Sequence, residues 1–511
     1  MNKKTRMALP SVNRCIFFGF KIYALLLLFG CTNKKTELVW DKSFYKIGSQ
    51  SSIRTTDMNQ DGILDLIIGA GRNEEQFSES GILAINGQNG ELIWQQETQD
   101  QVFGAATFLD IDNDKIEDII IGGRGPQLKA LNGKTGDVIW QFNPEQYQSD
   151  SLLKYARYNF YNTVLIPDQN EDGLADILTV NGGNARAEVN SYKDRYPGVL
   201  LILDAKNGNI IKGDTMPDGR ESYMSPICFS QPDNADYTLI FGSGGETISG
   251  NLYQISLSEF VANGLKNAEN IASEKDHGFI APPTAVDISK DGILDIVAIS
   301  HASTVFAING KDLSQMWKKK IENTECSNSM AVGYFNDDDI PDLFTFVSKG
   351  VWPENNGSLQ IMLDGKNGEI AYQNTMGCTG FSSPVVYDLD NDGIDEAIIS
   401  INEFDCNTSF ANKITGGIQN KLLAINFKSN TIQPIDQQPD FKNIFTTPWI
   451  GDLDNDGYLD ILYGQYYSPN IDILSFLGMR VKRISTSIPM REEVKWGAYM
   501  GSNGDGIYPI P

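Results

Sequence analysis

One nine-residue acidic spelling recurs along the chain, nearly intact in five places and weaker in three. The intact copies are DMNQDGILD (57–65), DIDNDKIED (110–118), DQNEDGLAD (168–176), DLDNDGIDE (388–396) and DLDNDGYLD (452–460). Each runs straight into an apolar stretch such as LIIGAG or IIIGG. A loop feeding a buried strand, repeated about every fifty to sixty residues, restricts the chain to a repeat architecture.

The spelling follows from the chemistry of a hard cation. Calcium takes six to eight oxygens from carboxylates, amides, carbonyls and water. Acids or amides at positions 1, 3 and 5 turn oxygens inward, Gly at position 6 permits a positive φ, and an acid at position 9 closes the ring. The candidate ligands are Asp57, Asn59, Asp61 and Asp65 in the first loop. They are Asp110, Asp112, Asp114 and Asp118 in the second, and Asp168, Asn170, Asp172 and Asp176 in the third. Two later loops supply Asp388, Asp390, Asp392 and Glu396, then Asp452, Asp454, Asp456 and Asp460. DISKDGILD (287–295) offers Asp287, Asp291 and Asp295 with Ser289 at position 3. YFNDDDIPD begins with Tyr334, and SQPDNADYT (230–238) has lost the ligands. A single copy reads equally as an acidic turn; five coherent copies predict about five to six structural calcium ions. An EF-hand is excluded, because position 12 is not Glu and the flanks are strand-like.

Downstream of the loops come alternating segments joined by Asn-Gly or Asp-Gly turns, such as SGILAINGQNGELIWQ (80–95) and QLKALNGKTGDVIWQF (127–142). These are hairpin signals. Each unit therefore reads as strand A, acidic loop, strand B, longer loop, strand C, tight turn, strand D. The predicted fold is all-β: a single β-propeller of four-stranded antiparallel blades. Eight units predict eight blades; seven, with an irregular insert at 213–280, is the alternative count, and an open solenoid the alternative topology. LVWDKSF (38–44) has the spelling of a strand D with no blade before it. It is expected to complete the last blade and close the ring, removing two exposed sheet edges.

The acidic loops resemble FG-GAP/VCBS-type (integrin α-like) calcium repeats, and the NGxTGxxxW segments resemble PQQ-like, quinoprotein-type propeller repeats. The resemblance implies a calcium-stabilised propeller and leaves activity open, since such folds host unrelated functions. Quinoprotein dehydrogenases use an adjacent Cys pair; none exists here, so PQQ is not expected. Trp94, Trp140 and Trp317 read as packing residues between blades.

The first residues resemble a bacterial lipoprotein leader: basic residues up to Lys21, the short apolar run Ile22–Phe29, then Gly30-Cys31. The expected division is a signal peptide over 1–30, a tether over 31–37 and the propeller over 38–511, with Cys31 lipidated. This predicts export and a lipid anchor in the cell envelope, at the outer membrane, facing the periplasm. The formal net charge of −25 argues against a nucleic-acid partner. In an oxidising compartment Cys378 and Cys406, at neighbouring strand ends of one blade, suit a disulfide, with Cys326 a competitor for either.

Function is not written in any catalytic motif. The B–C loops fall at the mouth opposite the acidic loops, and there Arg72, Arg124 and Arg186 come from consecutive units, joined by His301. One reading is a binding patch for an acidic glycan or an envelope protein. The other is that each Arg pairs with a neighbouring blade's acid and stitches the ring. The preferred expectation is a binding or scaffolding module. The alternatives are a calcium-dependent, lyase-like polysaccharide enzyme using Arg124, His301 and Tyr466, or an assembly factor for envelope proteins.

Overall fold

The computed structural model describes residues 36–510, except 185, 233, 352–355, 379, 407–416 and 469–474. Cys31, the leader and most of the tether lie outside the described residues. The strands assemble into eight antiparallel sheets, one per blade. Blade one shows the plan: Arg54–Thr56, Asp65–Gly69, Ser78–Ile85 and Leu92–Thr98, paired in that order. Blades two to seven span 107–141, 159–215, 227–274, 284–320, 324–375 and 385–439.

The eighth blade is built from both ends of the propeller. Tyr458–Tyr467 pairs with Gly478–Pro489, and Glu37–Tyr45 adds as the outer strand, Glu37 opposite Ser485 and Tyr45 opposite Gly478. The ring is therefore closed by hydrogen bonds, as the lone strand-D spelling predicts. Region 213–280 holds a complete blade and no insert. Its strands Ile227–Ser230, Tyr237–Gly242, Gly250–Ser256 and Glu269–Glu274 form one sheet. Helix Leu257–Asn263, capped by the Ser256 side chain accepting from the Glu259 N–H, interrupts its last hairpin.

Burial explains the composition of each strand. Second strands such as Asp65–Gly69 and Asp118–Gly122 are buried throughout, because both sheet faces meet neighbouring blades. Outer strands such as Gln315–Lys320 keep only a central tryptophan buried and turn lysines to solvent.

That tryptophan locks each blade to the next. Trp94 Nε1 donates to the Gly133 carbonyl at 2.8 Å, Trp140 to Ala205 at 2.7 Å and Trp317 to Gly365 at 2.8 Å. Trp40, on the closing strand, donates to Gly87 at 2.8 Å and so identifies Glu37–Tyr45 as a true fourth strand. The two glycines of the turn have separate jobs. A Cβ on Gly87 would sit 1.9 Å from the Leu64 carbonyl, so this turn can pack on the acidic loop only without a side chain. A Cβ on Gly136 would meet the Trp94 ring at 2.6 Å, on a residue already at φ +77°.

After Pro489 the chain leaves the eighth blade and crosses the innermost strands. Ile450 N–H donates to Gly497, Val386 to Trp496 and Ala285 to Gly506, at 2.8, 2.9 and 2.8 Å. The Arg54 guanidinium donates to the carbonyls of Gly501 and Tyr499. Blades one, five, seven and eight thus hold this tail, with Trp496 1% exposed, as a stopper in the axial channel. Cys378 and Cys406 form a disulfide with Cα atoms 5.5 Å apart. Cys228 and Cys326 are buried thiols, pushed up by burial to about 12 and about 11.

Candidate functional site

Two places gather functional side chains: the acidic loops at one end of the blades and a cavity at the other.

The loops share one winding pattern. The position-1 carboxylate accepts from the N–H groups of positions 5 and 6, as Asp57 does from Asp61 (3.1 Å) and Gly62 (3.0 Å). Asp110, Asp287, Asp388 and Asp452 repeat this, and Asp168 accepts from Gly173 at 2.7 Å. Asn59, Asp112 and Asn170 at position 3 accept from position 5. Asp61, Asp114, Asp172, Asp291, Asp392 and Asp456 at position 5 accept from position 7. These are local turns that organise the loop before any ion arrives.

The ninth residue does something the spelling does not reveal. Asp118 is fully buried and accepts from Ile111 N–H within its loop and from Gly133 N–H of the C–D turn, both at 2.9 Å. Asp65, Asp295 and Asp342 bind the same two partners in their blades. Asp176, Glu396 and Asp460 also hold the position-2 N–H. Burial raises all of these carboxyls, Asp65 to about 6, Asp342 to about 7 and Glu396 to about 8. This position is therefore a bolt between loop and hairpin as well as a candidate ligand.

The donor sets fit a hard cation. Oxygens of Asp110, Asp112 and Asp118 converge within 4.8 Å, as do those of Asp388, Asp390 and Glu396, and of Asp452, Asp454 and Asp456. Asp176 Oδ1 is buried without a hydrogen-bond partner. Calcium's oxygen preference and loose geometry match such sets. The loop at 452–460 differs, because Arg483 donates to Asp454 and, at 2.8 and 3.2 Å, to Asp460. It brings its own cation. The loop beginning at Tyr334 lacks the first carboxylate, and the Tyr334 N–H instead donates to Asp395 of the next blade at 2.8 Å.

The opposite mouth opens into a cavity of about 420 Å³. Its belt comes from one repeated position, four residues before the strand that runs into the acidic loop (three in blade three). Blades two, three, four, seven and eight place Phe103, Tyr161, Tyr223, Phe381 and Phe445 there. Gln50, Ile280 and Ser327 complete the set from blades one, five and six. Neighbouring rings touch: Phe103 and Tyr161 at 5.5 Å, Tyr161 and Tyr223 at 6.2 Å, and Phe381 stacked on Phe445 at 5.5 Å. Tyr499 of the tail also lines the space.

Charged residues enter from the B–C loops, and three of them are paired. Arg124 lines the cavity, pairs with Glu74 of blade one, and lies over the Phe103 ring with 5.7 Å to its centroid. Arg195 pairs with Glu221, both nearly fully buried. His301 faces Glu325 at 3.7 Å, with its other ring nitrogen 3.2 Å from the Cys326 carbonyl and 3.1 Å from Ser327 Oγ. Burial pushes the His301 pKa down, but the hydrogen bond to Glu325, the charges of Glu246 and Glu325 and the Cys326 carbonyl outweigh it. The net direction is upward. Burial drives the Tyr161 and Tyr223 hydroxyls well above the usual phenol range.

Of the four sequence-predicted binding residues, the cavity gathers Arg124 and His301. Arg186 is largely exposed and pairs with Glu75 of blade one, and the backbone carbonyl of Arg72 accepts from Gln101 at 2.8 Å. Arg72 and Arg186 are not in the cavity lining. The pairings of Arg124 and Arg186 join blades, as ring-stitching requires. Tyr466 packs against Phe476 in the core, 4.8 Å between rings, apart from Arg124 and His301. Sequence reasoning missed the belt, although the repeat alone could have located it by counting back from each strand A. It missed Arg195 and Glu221 because they lie in and beyond a long irregular loop.

Among curated proteins, none matches the sequence. The fold is similar to that of the quinohemoprotein alcohol dehydrogenase ADHIIG from Pseudomonas putida HK5, at 11% identity and TM-score 0.54, covering 90% of this chain and 77% of that one. It is also similar to a europium-containing methanol dehydrogenase, at 8% identity and TM-score 0.54, covering 88% and 93%. At such identities the likeness is one of fold. A weaker likeness, TM-score 0.44, is to BamB from Moraxella catarrhalis, at 13% identity and covering 88% of this chain and 97% of that one. The family model of the FAM234A/B beta-propeller matches residues 40–387, from the tryptophan of the closing strand to the edge of the seventh acidic loop, and the chain belongs to that family.

Proposed function

We propose that this propeller is a binding module that engages its partner through the aromatic-belted mouth, with calcium in the acidic loops as structural support. One observation carries the reading: a cavity whose belt is drawn from all eight blades at one repeated position. Packing alone does not require five aromatic residues to border open space, whereas ligand pockets combine apolar walls with a few placed polar groups. Its volume of about 420 Å³ falls in the range of such pockets. The partner is a glycan or protein of the cell envelope, and the leader's resemblance to lipoprotein signals supports an anchor at Cys31. No helix among the described residues is long and apolar enough to cross a membrane. The loops' likeness to FG-GAP/VCBS repeats and their convergent oxygens support calcium, held by the sets around Asp57, Asp110, Asp168, Asp287 and Asp388.

The test compares capture by the wild-type chain with capture by a Phe103→Ala/Tyr223→Ala double variant from cross-linked envelopes. A partner recovered by the wild type and lost with the variant supports the reading. Equal recovery by both sinks it.

A further inference from the structure

The mouth holds more negative charge than it cancels. Arg124 is taken up by Glu74, Arg195 by Glu221, and His301 faces Glu325. Glu246 also lines the cavity, and among the described residues its carboxylate has neither an ion pair nor a hydrogen bond. Four carboxylates thus meet two arginines and one histidine, an excess of one charge with His301 protonated and of two with it neutral.

Glu246 stands at the tip of a tight turn. Gly245 N–H donates to the Ile248 carbonyl at 3.1 Å across the turn, and His277 Nδ1 lies 2.6 Å from the Glu246 carbonyl oxygen. A Cβ on Gly245 would meet the Tyr223 ring at 2.9 Å, so the turn lies directly against the belt. The Glu246 charge is accordingly felt at Tyr161, Tyr223 and His301. Aromatic faces carry negative potential and attract cations. The belt already holds one in this way, Arg124 over Phe103, and the rings run on from Phe103 through Tyr161 to Tyr223. Ring faces beside an uncancelled carboxylate suit an alkylammonium group. A metal ion would need several converging oxygens instead.

The rim shows what kind of molecule carries that ammonium. Val189 lines the cavity and is 66% exposed, and Tyr192 and Tyr196 of the same loop are 62% and 46% exposed. Tyr196 stacks on Tyr155 and Tyr158, with ring centroids 5.7 and 6.2 Å apart, which fixes this aromatic edge in place. Exposed tyrosines bordering a pocket are characteristic of surfaces that bind proteins. The chain's net charge of −25 draws basic partners.

Deepening the proposed function, and resting on it, we infer that the mouth receives a lysine side chain of a partner protein. Its methylene stem lies along the aromatic belt, and its ammonium sits between the Glu246 carboxylate and the rings of Tyr161 and Tyr223. This departs from the acidic glycan expected from clustered arginines, because Arg124 and Arg186 are already paired and the free charge in the lining is negative.

The experiment titrates the full-length protein by calorimetry with terminally blocked hexapeptides carrying two central lysines, with the same peptides acetylated at the lysine amines, with glucosamine oligomers and with oligogalacturonates. The expected result is saturable binding of the lysine peptides, weakened at least tenfold by acetylation and weakened by added salt. Glu246→Gln should weaken it at least tenfold with an unchanged melting temperature, since that side chain is exposed. Tyr223→Leu should weaken it similarly, while Tyr223→Phe, which keeps the ring, should not. Equal binding of lysine and acetylated peptides, or lysine binding indifferent to Glu246→Gln, overturns the inference. Binding only of glucosamine oligomers or of oligogalacturonates, lost with Tyr223→Leu, overturns the lysine while keeping the mouth as the site. Silence from every probe overturns the inference, and the capture test then decides the mouth independently.

Discussion

At the residue scale, His301 shows how the cavity couples to pH. Its ring faces Glu325, feels Glu246, and lies 5.8 Å from the ring of His277. Because its folded pKa is raised, its contribution to stability is fully present below the ordinary histidine value of about 6.5 and is lost as pH rises through the folded value. The wild type should therefore lose stability relative to His301→Gln as pH rises above about 6.5, measured by urea unfolding at each pH. Parallel curves would refute the linkage. Lys115 is a second informative residue. It takes φ +72° at the loop position where the other intact copies have glycine. Lys115→Gly should stabilise by about 0.5–1 kcal/mol, since the backbone strain removed exceeds glycine's entropic cost. Loss of stability would mean that the lysine side chain contributes a contact of its own.

At the element scale, the lock between blades was half visible in the sequence. The Trp and Asn-Gly spacing announced strand D and its hairpin, and Trp94, Trp140 and Trp317 were expected between blades. The donor–acceptor pairing across blades, and the division of labour between the two turn glycines, needed the structure, because both partners come from different repeats. Trp94→Phe should cost about 1–2 kcal/mol for the lost hydrogen bond and contact, and Trp94→Ala about 3–5 kcal/mol, in denaturant titrations. The acidic loops make a related prediction. Excess chelator should lower the melting temperature if calcium fills them. Arg483→Met should deepen that dependence, because Asp454 and Asp460 then have only an ion to balance them. An Arg483→Met variant no more sensitive to chelator than the wild type would count against the loop having kept its metal chemistry.

At the scale of the whole molecule, blade count and ring closure were legible because period, turn signals and an orphan strand all agreed. The blade at 227–274 was the ambiguous one, for its acids had decayed while its strands had not. The cavity was only partly legible. The B–C loops pointed to the correct mouth, and Arg124 and His301 do line it. The belt escaped because it sits in what reads as linker, and the tail because an irregular segment has no period to count. The disulfide between Cys378, in the link leading into the seventh blade, and Cys406, after that blade's second strand, closes a loop of 28 residues. Its reduction should cost about 3–4 kcal/mol on the loop-entropy account. Melting with and without reductant, against a Cys378→Ser/Cys406→Ser variant insensitive to it, measures that contribution.

The shared eighth blade also imposes a schedule on biosynthesis. Glu37–Tyr45 is among the first parts of the propeller to be made, yet its partner Gly478–Pro489 comes roughly 440 residues later. At 5–20 residues per second, that strand waits for about 20–90 s with its edge unsatisfied. During that wait it is a template for any other unpaired strand, including the same segment of a neighbouring nascent chain. The feature that gives the finished ring no beginning thus makes the unfinished one dependent on being kept apart from its copies.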